Sequence, residues 1–94
     1  MSGDTDAFVA ERDRIKSELA KLDKNNMSLE NERAEIARKA KGATGDTETL
    51  SQLEIETEQM AEAKRKNDRL IKQATKRLME VEGVIAMQIQ SDMT

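Results

Sequence analysis

Ala40-Lys41-Gly42-Ala43-Thr44-Gly45-Asp46-Thr47-Glu48-Thr49-Leu50 is the stretch whose reading decides the fold, because two apolar heptad repeats meet there out of phase. Toward the N-terminus, Phe8, Ile15, Leu22, Leu29 and Ile36 recur every seven residues as d positions, with Thr5, Arg12, Leu19, Asn26, Arg33 and Ala40 as the a positions. Toward the C-terminus, Leu50, Thr57, Lys64, Ile71, Leu78 and Ile85 occupy a, and Leu53, Met60, Asn67, Ala74, Val81 and Gln88 occupy d. A sustained 3.5-residue apolar period is the mark of helices that supercoil about one another. Ala40 and Leu50 are ten residues apart, which is not a multiple of the heptad. One unbroken helix would have to absorb that slip while holding Gly42 and Gly45 in its interior, at about 1 kcal/mol each relative to Ala. A turn over residues 42–46 avoids both costs. The expectation is therefore an all-α, antiparallel two-helix coiled-coil hairpin in a single domain over 1–94, with helix 1 about 5–41 and helix 2 about 47–90.

The caps follow from the same stretch. Gly42 falls where a left-handed C-terminal cap is wanted, after Arg38, Lys39 and Lys41, whose charges suit the negative end of the helix dipole. Asp46 or Thr47 can cap the second helix, and Asp4 or Thr5 the first, because a short side-chain oxygen satisfies amides that have no partner in the first turn. Gly83 interrupts the second helix and is expected to mark a kink or a close helix approach.

Composition agrees with long helices. The chain is 37% charged and 36% hydrophobic, has no Pro, and contains Phe8 as its one aromatic residue. A compact globule usually fills its centre with aromatics, because each buries a large apolar area. This chain instead carries Ala, Leu, Ile, Met and Val among Glu, Lys, Arg and Asp, a coiled-coil composition. High charge also describes disordered chains, but those rarely keep a strict apolar period.

Folding the chain at the turn brings together positions whose numbers add to 93: Phe8 with Ile85, Ile15 with Leu78, Leu22 with Ile71, and Ala40 with Leu53. The same register sets Asn26 against Asn67, the only two Asn at core positions, as a register-fixing core pair of mutually satisfied carboxamides. A parallel homodimer would also pair each Asn with its own copy, but it would set Arg12, Arg33 and Lys64 each against itself. In the hairpin each of these cations faces an apolar residue and can lay its stem along the seam with its charge in water.

Beyond the seam the sequence offers an interaction surface. Leu70 and Val84 stand at g positions, Val9 and Ile89 at e, and they widen the apolar stripe away from the turn past what one helix pair uses. Phe8, Val9, Ile15, Leu70, Leu78, Val84, Ile85 and Ile89 form the expected protein interface, with a homodimer packed as a four-helix bundle as the simplest partner arrangement. Lys64, Arg65, Lys66, Arg69, Lys72, Lys76 and Arg77 form a basic run containing one acid, Asp68. That run is a candidate contact for phosphates or nucleic acid, or else a solvated face. The net charge of −3 and the lack of aromatics for base stacking favour the second.

Chemistry is sparse. With no His and no Cys, the commonest general base and the commonest soft metal ligands are missing, and disulfides are excluded. Glu54, Glu56 and Glu58 are spaced so that they spread around a helix. Gly42 and Gly45 lack the Lys-Ser/Thr of a phosphate loop. The expectations are no cofactor, no metal, no enzyme activity and no membrane span, with a cytoplasmic location taken by default from the absence of a leader-like N-terminus. What remains is a coiled-coil interaction or assembly protein that binds helical partners. The alternative is a small regulator acting on nucleic acid, or on a nucleic-acid-binding protein, through its charged faces.

Overall fold

The computed structural model describes residues 3–93. Helix α1 spans Gly3–Gly42 and helix α2 spans Thr47–Met93, and the two long helices pack against each other as a hairpin. Both helices extend beyond the expected limits, which is where assignments most often differ. Ala, Leu, Glu, Lys, Arg and Met, the best helix formers, supply much of both, and no Pro interrupts either. Bonds between the helices join Thr5 to Gln88, Glu11 to Arg77 and Asn26 to Lys64, numbers that rise on α1 as they fall on α2, as an antiparallel pair requires. Within the chain two compact units are distinct: a terminal unit, built from residues up to Leu22 and from Leu70 onward, and a turn unit, Asp23–Arg69.

The turn is built differently from expectation at one residue. Gly42 closes α1 in helical conformation, and the left-handed residue is Gly45, with φ +93°. The α1 carbonyls are satisfied locally instead. The Ala43 amide donates to Lys39 O at 3.1 Å and Ala40 O at 3.3 Å, and the Thr44 hydroxyl donates to Lys41 O at 2.9 Å. These bonds carry the chain one residue past Gly42 before it reverses. The reversal comes at Ala43–Asp46, where the Asp46 amide donates to Ala43 O at 2.9 Å. Gly45 occupies the third position of this turn, where a positive φ costs glycine nothing.

Asp46 caps α2. Its Oδ1 accepts the Thr49 amide at 3.2 Å, its Oδ2 accepts the Thr49 hydroxyl at 2.7 Å, and its carbonyl takes the Leu50 amide at 3.0 Å. These bonds hold the Asp46 carboxyl below its ordinary pKa, the Thr49 hydroxyl contributing most. At the other end, Thr5 does not cap α1. The helix already includes it, and its side chain turns inward instead, 2% exposed, to donate to Gln88 Oε1. Gly83 makes no close helix approach. It lies inside α2, and a Cβ built there would meet nothing within 4 Å, because it falls on the outward face.

The terminal unit holds an apolar core. Ile15, Val81 and Ile85 are buried together, with Phe8, Val9, Leu19, Ala74 and Leu78 packed around them. Leu22 is buried in the same unit. The turn unit has a single buried apolar residue among those described, Leu53, and one buried polar residue, Asn67. Leu29, Ile36 and Met60 are half-buried there, while Arg33, Thr57 and Leu50 are exposed despite their heptad positions. Thr57 turns its hydroxyl back to the Leu53 carbonyl at 2.8 Å, a local bond that competes with facing the partner helix.

Candidate interaction surface

Along each unit the helix spacing sorts side chains into the seam and two flanks, one on either side of it. In the terminal unit one flank is marked by an ion pair between the helices. Arg77 Nε donates to Glu11 Oε1 at 2.7 Å, and Arg77 Nη2 donates to Glu11 Oε2 at 3.2 Å, a two-pronged guanidinium–carboxylate contact. Arg77 Nη1 also reaches Glu80 Oε2, one turn along, at 3.4 Å. The bonds Arg77 donates lower the Glu11 pKa, and acceptance of them by the Glu11 carboxylate is the chief cause that raises that of Arg77.

The structure separates the eight expected interface residues into two groups. Ile15 and Ile85 are buried, and Phe8, Val9 and Leu78 are packed on the same cluster, so the hairpin itself consumes these five. Leu70 is 42% exposed, Ile89 is 49% exposed and Val84 is half-buried, so these three remain presented to solvent. They do not share one face. Successive residues advance ~100° around a helix, which places Leu70 and Val84 on the flank of Arg77 and Ile89 on the opposite one. Met87, 71% exposed, lies one turn beyond Val84 on the Arg77 flank. It extends that apolar stripe and was legible from its spacing to Val84, although its position outside a, d, e and g hides it from a heptad count.

The Asn layer of the turn unit is more crowded than the register implies. Asn26 Oδ1 accepts from Lys64 Nζ at 3.1 Å, and the same ammonium donates to Glu30 Oε1 at 3.3 Å. Lys64 was expected to send its charge to water, yet its side chain is only 28% exposed and it crosses to α1, where two oxygens replace part of its hydration. Asn67 is 6% exposed, and no buried side-chain N or O among the described residues lacks a hydrogen-bond partner.

The basic run is partly neutralised within the chain. Lys64 is held by Glu30, Arg65 Nη2 donates to Glu62 Oε2 at 2.7 Å, and Arg77 is held by Glu11 and Glu80. Lys66, Arg69, Lys72 and Lys76 are exposed, and Arg69 lies near enough to Glu62 to help lower its carboxyl pKa, after the larger effect of Arg65. Among the described residues no group of three or more Asp or Glu is placed to hold a metal ion. No described helix is long and apolar enough to cross a membrane.

These features define the class of the molecule as an all-α helical hairpin whose terminal unit holds an apolar core, with Leu70 and Met87 exposed on one flank of it. No protein-family model matches the chain, and no curated protein or solved structure matches it either.

Proposed function

We propose that this chain is a non-enzymatic helical-hairpin interaction and assembly module, and that the terminal unit carries its contact with further helices. One observation carries the reading. On the Arg77 flank of α2, Leu70 and Met87 stay exposed and Val84 stays half-buried, although the same unit contains the best-packed core of the chain. A chain that already buries Ile15, Val81 and Ile85 gains nothing within itself from these exposed side chains, whereas a further helix would remove them from water.

The direct test is site-specific photocrosslinking in the native host, with the photoreactive residue at Leu70 or Val84 and, for comparison, at Lys41 or Glu54 in the turn unit. Adducts to helical protein segments, from this chain or another, are expected from the first two positions and not from the second two. Adducts confined to the turn unit would overturn the reading. The pairing of Lys64, Arg65 and Arg77 with carboxylates weighs against a phosphate-binding role for the basic run.

A further inference from the structure

The exposed stripe on the Arg77 flank of α2 has an internal symmetry. Leu70, Gln73, Arg77, Glu80, Val84 and Met87 follow one another at alternating steps of three and four residues, so they lie along one face of the helix. Read from either end, the order is apolar or neutral at the outside and one charge of each sign at the middle. Two copies of this stripe laid antiparallel, so that facing residue numbers add to 157, put Leu70 opposite Met87, Gln73 opposite Val84, and Arg77 opposite Glu80. Each contact then occurs twice, related by a two-fold axis between residues 78 and 79, as a closed self-complementary interface requires. Sliding the register until the numbers add to 154 sets Arg77 against Arg77. A parallel arrangement also opposes like charges, Arg77 to Arg77 and Glu80 to Glu80.

The side chains are available for this. Leu70 is 42% and Met87 is 71% exposed. The Arg77 and Glu80 side chains are 50% and 52% exposed even while Arg77 holds Glu11 through two of its nitrogens and Glu80 through the third within one chain.

We infer that a second copy of this chain covers the stripe, through an antiparallel α2–α2 contact in which Leu70 packs on Met87, Gln73 meets Val84, and Arg77 pairs with Glu80 of the other copy. This rests on the interaction reading above and names its partner. The two hairpins so joined present four helices in the terminal region, with the charge pair setting the register and the apolar pairs supplying the contact energy.

The experiment uses the full chain, whose mass of 10.6 kDa makes the two states easy to separate by sedimentation equilibrium. Twice that mass is expected. Arg77→Glu and Glu80→Arg each turn both symmetric pairs into like-charge contacts, weakening the dimer by ~10-fold or more in Kd, with helicity checked by circular dichroism. An equimolar mixture of the two variants restores opposite charges across the interface and regains the dimer. Loss of the internal Glu11–Arg77 contact would not be rescued by mixing. Because the chain has no Cys, chains carrying Gln73→Cys and Val84→Cys will crosslink on mild oxidation, and the pair Leu70→Cys with Val84→Cys will not. A monomeric wild type, reversals without effect, or crosslinking at 70 with 84 instead would each overturn the inference. A monomer whose positions 70 and 84 photocrosslink to a different helical protein overturns the second-copy partner and leaves the interaction reading standing. A chain with adducts from neither position removes both.

Discussion

The terminal unit and the turn unit follow the same heptad, yet only one of them closes a core. In the terminal unit Ile15, Val81 and Ile85 are buried together at seam positions, five partly buried apolar residues pack on them, and the buried polar position, Thr5, is bonded to Gln88. In the turn unit the same geometric positions carry Asn26, Arg33, Thr57, Lys64 and Asn67, and Leu53 is the buried apolar residue. Heptad spacing therefore sets where the helices touch. The side-chain chemistry at those positions decides whether the contact is apolar. A polar seam held by Lys64, Asn26 and Glu30 contributes orientation more than stability, since much of what each polar group gains was already available from water.

The sharpest way to break this contrast is to remove matched apolar side chains. Ile85→Ala empties a buried site and is expected to cost about 3 kcal/mol, whereas Ile36→Ala, half-buried in the turn unit, is expected to cost about 1 kcal/mol. Urea unfolding at one fixed protein concentration measures both, since association would otherwise shift the midpoints. Equal losses would mean that the two seams are energetically alike.

A smaller effect separates the two glycines. Gly83→Ala adds a methyl that meets nothing, within a helix, and is expected to stabilise by about 1 kcal/mol. Gly45→Ala puts a side chain at φ +93° and is expected to destabilise by about 1 kcal/mol. Thermal unfolding of the two variants should shift in opposite directions. A shift of the same sign in both would show that one of these backbone assignments is mistaken.

The smallest expected effect is acid sensitivity. Glu11 in the terminal unit, and Asp46 and Glu62 in the turn unit, all have lowered pKa values through hydrogen bonds to Arg77, Thr49 and Arg65 respectively. A carboxyl with a depressed folded-state pKa contributes stability that is present above its unfolded pKa and is lost as pH falls through the folded value. Stability should therefore decline below the ordinary carboxylate range in both units. Asp46 and Glu62 are solvent-exposed and Glu11 is only partly buried, so the decline should be shallow and further reduced by salt. Glu11→Gln should remove part of it, as read from denaturation midpoints taken across the acid range.

Several features were legible along the chain because they depend on local spacing. The phase slip between Ala40 and Leu50, with Gly42 and Gly45 inside it, marks a reversal whatever the rest of the molecule does. Asp46 was readable as a cap for the same reason. Which glycine would turn left-handed was not. That depended on Thr44 and Ala43 binding the last α1 carbonyls, and so on hydrogen bonds that prolong the helix by one residue. Thr5 looked like a cap because it is a short hydroxyl near the start of a helix. Its neighbour Gln88, more than eighty residues along the chain, was needed to give that hydroxyl a different role. At the candidate surface, spacing singled out Leu70, Val84 and Ile89 beside the seam, and it had already set Phe8 against Ile85 and Ile15 against Leu78 within the hairpin, which is where the structure buries or packs them.

By itself, then, the sequence determined two helices, the turn between them and the stripe of positions that face inward, since heptad period, helix propensity and glycine placement act over a few residues. The tertiary structure alone decided which polar groups pair and which apolar ones remain uncovered: Thr5 with Gln88, Glu11 with Arg77, Lys64 with Asn26 and Glu30, and Leu70, Met87 and Ile89 left facing water. The reason is geometric. Such pairings depend on the direction and reach of side chains from two helices at once, and spacing along either helix alone carries only half of that information.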